Sequence, residues 1–376
     1  MEWMKEHSAQ HVVSNDLTRL LATTRVEFNA MKGKRLLLTG GAGFLGYYIV
    51  QSILHWNEQQ KREQDKIKLV VYDNFIRGVP PWFSSFAADE WFRLEKRDVT
   101  QPLAKDVGDF NYVIHAASIA SPSYYRLHPI GTMDANVNGL RILLDYCVEQ
   151  QERGRPVDGM LFFSSSEIYG DPSPENIPTS EGYLGYVSCT GPRACYDESK
   201  RYGETLCVNF ARQYNLPIKV ARPFNNYGPG LKITDRRVIP DFARDILSGN
   251  DIVMLSDGRA SRTFCYITDA IAGYFKILVQ GKRGEAYNIG VESPEISIGH
   301  LADLMVETAQ EYFRYKGKVV RKKSDDSEYL VDNPQRRCPI IQKARADLGY
   351  DPKVSVSEGI RRSLLWYAEN NHSGEE

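Results

Sequence analysis

Residues 35–46, RLLLTGGAGFLG, constrain this chain more than any other stretch. Arg35–Thr39 is an apolar run of strand length, and an apolar pattern of helical spacing follows over residues 44–56. Between them Gly40, Gly43 and Gly46 are spaced GxxGxxG. Glycine permits the tight turn from strand to helix and lets the backbone approach a pyrophosphate at the helix N-terminus. Flanked in this way, the turn, with Phe44 and Leu45 inside it, is expected to cradle a dinucleotide.

The alternation continues downstream. Strands are expected at residues 67–72, 92–96, 111–115, 160–164 and 218–221, with helices over 136–150 and 196–213. This order predicts an α/β fold, a doubly wound parallel sheet with helices on both faces. Beyond Pro223 the pattern loosens, with helical stretches at 238–248 and 300–315 separated by Gly and Pro. A chain of 376 residues suits a dinucleotide-binding domain of residues 34–222, rejoined by 262–290. Residues 223–261 and 291–371 then form a smaller α+β substrate domain. Residues 1–33 lack an apolar signal core and read as a partly helical extension, packed on a neighbouring subunit or loosely held.

A formal net charge of −1 provides no field that favours nucleic acid or an anionic membrane. No stretch approaches the roughly 20 apolar residues of a membrane span. The six cysteines form no CxxC pair and the seven histidines are scattered, so no metal site is expected. Free thiols in a reducing cytoplasm are.

Asp73, at the end of the second strand with Asn74 beside it, can accept hydrogen bonds from a ribose diol and would repel a 2′-phosphate. That favours NAD over NADP, against which only the nearby Arg77 counts. Asp98 and Val99 are placed to contact adenine. The small residues Ala116, Ala117 and Ser118 leave room for the dinucleotide, and His115 reads as structural.

Tyr196 and Lys200 form YxxxK, which on a helix puts both on one face. The ammonium, with a positive nicotinamide, is expected to lower the phenol's pKa so that it can take a proton from a sugar hydroxyl. Ser164-Ser165-Ser166-Glu167 ends the fifth strand, where ligands bind in parallel sheets. Ser165 would share the proton, and Ser166 and Glu167 would face the sugar.

TGGAGFLG, SSSEIYGDP, GPRACYDESKR, RPFNNYGP and RTFCYITD together resemble the extended short-chain dehydrogenase/reductases, specifically their UDP-glucuronate decarboxylase (UDP-xylose synthase) branch. HAASIASPSYY, which contains Tyr124, resembles that branch's substrate loop, and DNPQRRCP is similar to its late segment. The resemblance covers residues 34–367. It implies a Rossmann-like fold, NAD as cofactor, and Ser165, Tyr196 and Lys200 as the hydride-transfer group. It implies further that Glu167 and Arg262 flank the sugar carbon that changes, and that Asn225, Arg237 and Arg336 hold the diphosphate and nucleoside. A guanidinium at Arg262 also suits a carboxylate or enolate on chemical grounds. A homodimer through the helix carrying Tyr196 is implied as well. The chain departs from the family at Gly230, where Arg is usual after YGP, at Ser165 in place of Thr, and over residues 231–235.

The chemistry so implied is oxidation of UDP-glucuronate at C4, loss of carbon dioxide from the resulting β-keto acid, and reduction to UDP-xylose. A nucleotide-sugar 4,6-dehydratase is the nearest alternative, but Ser166 stands where the dTDP-glucose enzymes carry an acidic residue; GDP-mannose-type dehydratases also use a Ser-Glu pair. A 4-epimerase has little use for Glu167. A non-catalytic nucleotide sensor is opposed by the intact Ser165, Tyr196 and Lys200.

Overall fold

Six short apolar segments, β1 (Arg35–Thr39), β2 (Lys68–Asp73), β3 (Phe92–Lys96), β4 (Tyr112–His115), β5 (Gly159–Phe163) and β6 (Ile218–Pro223), join the Ala286–Ile289 strand in one sheet. In this computed structural model, which describes residues 8–103, 107–324 and 331–370, the seven strands are all parallel. Residues 1–7 of the expected extension and residue 371, the expected end of the substrate region, lie outside the described residues.

The strand order is Ala286–Ile289, β6, β5, β4, β1, β2, β3. This is the doubly wound, Rossmann-like arrangement, and it reverses direction between β1 and β4. A crevice opens there at the carboxyl ends of the strands. Both faces of the sheet are covered at its centre, so the central strands are apolar, unlike the edge strand β3: Leu36, Leu37 and Leu38 are fully buried, each stabilising the fold by about 1.5–3 kcal/mol.

Helix boundaries differ from expectation in one instructive place. The helix expected over 136–150 begins regularly only at Leu140 and is preceded by a π-turn, Ala135–Gly139. Such turns collect at functional sites, and this one carries the fully buried Asn136.

The extension belongs to the core of its own chain. Helix α1 (Ala9–Thr23) starts at Ser8, whose hydroxyl accepts from the His11 N–H at 3.1 Å. A short α2 (Arg25–Ala30) follows, and α3 (Phe44–Glu58) leaves the glycine turn. Ten of the fifteen residues of α3 are buried, more than the sheet alone can cover. Leu17, Leu20, Leu21 and Phe28 of α1 and α2 supply the second layer. Asp16, with no exposed surface, accepts from the hydroxyls of Tyr48 and Tyr266, each at 2.6 Å, and pairs with Arg362. One carboxylate thereby ties α1 to α3, to the strand after Arg262 and to the Val356–Glu369 helix.

The remaining segments form small sheets. In one of them Ser261–Arg262 lies between Ile296–Ser297 and Arg336–Arg337, with Arg262 in register beside Arg337. Among the described residues no helix is long and apolar enough to cross a membrane, and no group of three or more His, Cys, Asp or Glu could hold a metal ion. All six cysteines are free.

Candidate active site

The glycine turn sits at the reversal of the sheet. Gly40 has φ +76°, and a Cβ there would lie 2.5 Å from the Ala117 backbone, so the two crevice walls meet only because the side chain is missing. A Cβ on Gly46 would lie 2.1 Å from the Gly41 carbonyl oxygen, which brings the first turn of α3 tight onto the loop. Gly43 begins α3 without a side-chain cap, leaving the first N–H groups, including those of Phe44 and Leu45, to face an anion. The side chains of Phe44 and Leu45 pack against the core instead.

From this turn an open groove of about 290 Å³ runs past Asp73, Asn74, Asp98 and Val99 on one side and Ala116 and Ser118 on the other. Asp73 accepts from the Ala42 N–H at 2.9 Å and the Phe75 N–H at 2.8 Å, which fixes its carboxylate at the rim; burial raises its pKa. Asp98 accepts from the Thr100 N–H at 2.9 Å and from Asn74 at 3.4 Å. Arg77 lines the groove but is engaged: it donates to Asp235 at 3.0 Å and lies 3.9 Å over the Tyr124 ring. The backbone cradle and the acid at the end of β2 fit a dinucleotide with a free ribose diol.

The next wall is catalytic in character. β5 delivers Ser165, whose hydroxyl accepts from the Glu167 N–H at 3.1 Å. The Ala194–Gln213 helix delivers Tyr196 and Lys200 on one face. Lys200 donates to the Phe163 carbonyl at 2.7 Å, and its Nζ is 5.7 Å from the Tyr196 ring centre. Tyr196 stacks on Tyr125 with centroids 5.2 Å apart. Without the nicotinamide's charge, the protein's own groups set the phenol. Burial pushes it up to about 12 against the pull of the Ser165 hydroxyl, and burial also pushes Lys200 down to about 7. Both groups thus resist ionisation in the protein's own field. Asn136, which the sequence reading passed over, donates to Ser199 at 2.9 Å, and Ser199 donates to the Tyr196 carbonyl at 2.9 Å. His115 bonds Thr39 at 2.8 Å, and burial pushes it down to about 3, a structural neutral ring.

At the far end lies a knot of charge. Glu167 pairs with Arg193 and, at 3.0 Å, with Arg337. Burial works to raise the Glu167 carboxyl, but the guanidiniums of Arg193, Arg337 and Arg262 outweigh it and hold it below the ordinary range. Asp197 lies 3.6 Å from Arg193; burial, then the charge of Glu167, pushes it up to about 7. Arg337 also donates to the Ser166 hydroxyl at 3.1 Å. Arg262 is bound by the carbonyls of Ser261 at 2.7 Å and Gln335 at 3.0 Å, and its charge reaches Glu167 through space.

The other residues expected to bind substrate are placed unequally. Asn225, at φ +42°, donates to the Thr263 carbonyl at 2.9 Å. Arg237 pairs with Asp235 at 2.9 Å and donates to the Ala120 carbonyl at 3.2 Å. Arg336 turns outward to Glu295 at 2.7 Å, whereas its neighbour Arg337 faces the site. Adjacent residues of a strand point to opposite faces, so the choice between them lay outside what spacing alone could decide. Arg193 stands inside a motif that the sequence made conspicuous, but its partner Glu167 is 26 residues away.

Known proteins are similar to this chain over most of its length. The family model described as "NAD dependent epimerase/dehydratase family" matches residues 36–290. UDP-glucuronic acid decarboxylase 6 of Arabidopsis thaliana is 34% identical over 326 residues, 87% of this chain and 86% of the relative. UDP-glucuronic acid decarboxylase 1 of Xenopus tropicalis is 32% identical over 336 residues, 89% of this chain and 72% of the relative. Among solved structures, an epimerase of Methanothermobacter thermautotrophicus superposes with a TM-score of 0.76 at 25% identity, covering 94% of this chain and 97% of that one.

Proposed function

The chain belongs to the NAD dependent epimerase/dehydratase family, and from that membership we infer that it decarboxylates UDP-glucuronic acid to UDP-xylose through a 4-keto sugar. Its cofactor is NAD. The observation that carries the reading is the knot beside Ser165 and Tyr196: three guanidiniums, Arg193, Arg262 and Arg337, against two carboxyls, Glu167 and Asp197. An excess of buried positive charge suits a substrate that brings its own carboxylate. A neutral hexose, as a 4,6-dehydratase takes, would leave it uncompensated.

We read residues 34–222 with 262–290 as the cofactor-binding part, and 223–261 with 291–371 as the part that holds the nucleotide-sugar. The turn at Gly40, Gly43 and Gly46 takes the pyrophosphate, Asp73 the ribose, and Asp98 and Val99 the adenine. NAD, when bound, accepts a hydride from C4 of the sugar and gives it back. Tyr196 takes the C4 hydroxyl proton, Ser165 shares it, and Lys200 supplies positive charge one helical turn away. A charged Lys200 would pull down the phenol that burial holds up, and bound NAD would supply further positive charge beside it. Arg262 and Arg337 hold the carboxylate until it leaves as carbon dioxide, and Ser165 and Tyr196 stabilise the enolate oxygen. Glu167, kept ionised by its arginines, orders the water or proton delivered to C5. Tyr124, Ser166, Asn225 and Arg237 line the path of the nucleotide.

Exposed apolar side chains at Leu127, Ile130 and Tyr202, on and beside the Ala194–Gln213 helix, suit a homodimer across that face, and free thiols suit the cytoplasm. Light scattering tests the first. For the reaction, UDP-glucuronic acid labelled with carbon-13 at C6 is incubated with the protein. Labelled carbon dioxide with UDP-xylose in the NMR spectrum is expected. UDP-galacturonic acid without carbon dioxide would replace the reading by an epimerase.

A further inference from the structure

We propose that residues 231–237 are a strap across the dinucleotide groove, fastened by Arg77 and Asp235, that retains the reduced cofactor until the ketone has been re-reduced. The inference rests on the decarboxylase reading, but its first observable does not.

The strap grips both lips of the groove. On one lip, Arg77 donates to Asp235 at 3.0 Å and Lys232 reaches the Arg77 carbonyl. On the other, Ser121 donates to the Asp235 carbonyl at 2.9 Å and Arg237 to the Ala120 carbonyl at 3.2 Å. Ile76, Arg77, Gly78, Ser118 and Ile119 line the groove itself, so the fastened segments are its walls. The ion pair is sheltered: the Asp235 side chain is 6% exposed and Arg77 lies flat on Tyr124. At the strap's foot Gly230 has φ +90°, and a Cβ there would lie 2.6 Å from the Tyr47 ring, so the segment is seated directly on α3. Its fastener Arg77 is the residue whose charge would otherwise speak for NADP. Engaged with Asp235, Arg77 serves retention of the cofactor.

Retention decides the product. Oxidation at C4 moves a hydride to the nicotinamide and a proton to Tyr196. Breaking the C5–C6 bond releases carbon dioxide, and its electron pair, drawn into the C4 carbonyl, is captured by a proton at C5. The same hydride and a proton must then return to C4 for no net redox change. If NADH leaves first, the ketopentose nucleotide is released and each turnover consumes one NAD.

The test uses the full-length protein and its Arg77→Ala and Arg77→Lys variants. Dissociation of pre-bound NADH is followed by its fluorescence, and products of UDP-glucuronic acid by NMR. Arg77→Ala should release NADH about tenfold faster, the ratio set by losing ~1.4 kcal/mol, and a 4-ketopentose nucleotide should appear; Arg77→Lys should fall between. Unchanged NADH release in Arg77→Ala overturns the strap, as does a loss confined to NADPH affinity. Because NADH release needs no sugar chemistry, absence of carbon dioxide with the native protein would strike the decarboxylase reading and leave the strap measurement standing.

Discussion

The two ends of the groove are made of different materials. The cofactor end is shaped by backbone: glycines at 40, 43 and 46, small residues after β4, and N–H groups at the start of α3. The sugar end is shaped by buried charge from four separate segments, carrying Glu167, Arg193 with Asp197, Arg262 and Arg337. A backbone cradle tolerates little steric change but has no titration. A charge knot has room to move but depends on every partner, because one removed member leaves another buried and unpaired. Tyr196 stands where the two meet.

The sharpest break in this contrast is at the meeting point. Tyr196→Phe should cut kcat by about 10²–10⁴-fold, the usual worth of a positioned acid–base group, while NAD affinity by calorimetry stays near that of the native protein. Retained turnover would move the proton transfer elsewhere. Next, Arg337→Ala should destabilise the protein by about 1–3 kcal/mol in urea unfolding, since Glu167 keeps Arg193 while Ser166 and Glu167 each lose a buried charged partner, and Arg336→Ala by no more than ~1 kcal/mol, since its pair with Glu295 is half-exposed. Equal losses would erase the distinction between the two neighbours.

At the cofactor end, Gly40→Ala forces a side chain into a left-handed turn against Ala117, a strain of about 1–3 kcal/mol. Its effect should fall on NAD affinity and leave the pH profile of the sugar end unmoved. A changed pH profile with intact NAD binding would contradict the division of labour.

The effect spread most thinly over conditions is a difference of slopes on one helix. Asp197 is pushed up to about 7, so the folded state binds its proton more tightly, and its contribution falls as pH rises from about 4 to 7. Lys200 is pushed down to about 7, so the unfolded state binds its proton more tightly, and stability rises between pH 7 and about 10 as that penalty is relieved. Asp197→Asn should therefore gain on the native protein near pH 8 and lose that gain near pH 4. Lys200→Met should gain most below pH 7. Urea unfolding across this range reads both, and parallel curves would rule out opposite burial costs.

Legibility followed the same line. The glycine turn, Asp73 and the Tyr196–Lys200 pair were readable because their geometry is written in contiguous sequence: a strand, a turn of known spacing, one face of a helix. The π-turn at Asn136 was not, since its pattern continues that of the helix after it. The place of Arg337 beside Glu167 was not legible either, because a two-residue strand carries too little alternation to say which side faces in. Helix α1 was visible as a partial helix, but its place was not: the acid that anchors it finds partners at Tyr48, Tyr266 and Arg362, none within reach of local pattern.

That anchor bears on how the chain comes to be finished. Asp16 and Arg362 are separated by 346 residues, so during synthesis the first helix carries an acid whose counter-ion does not yet exist. Any product terminated before residue 362 keeps a carboxylate that must either stay in water, peeling α1 from the apolar flank of α3, or be buried without a counter-ion, held by hydroxyls alone. Incomplete chains are thus marked by their own electrostatics, and the exposed flank of α3 is the signal a chaperone or protease would read.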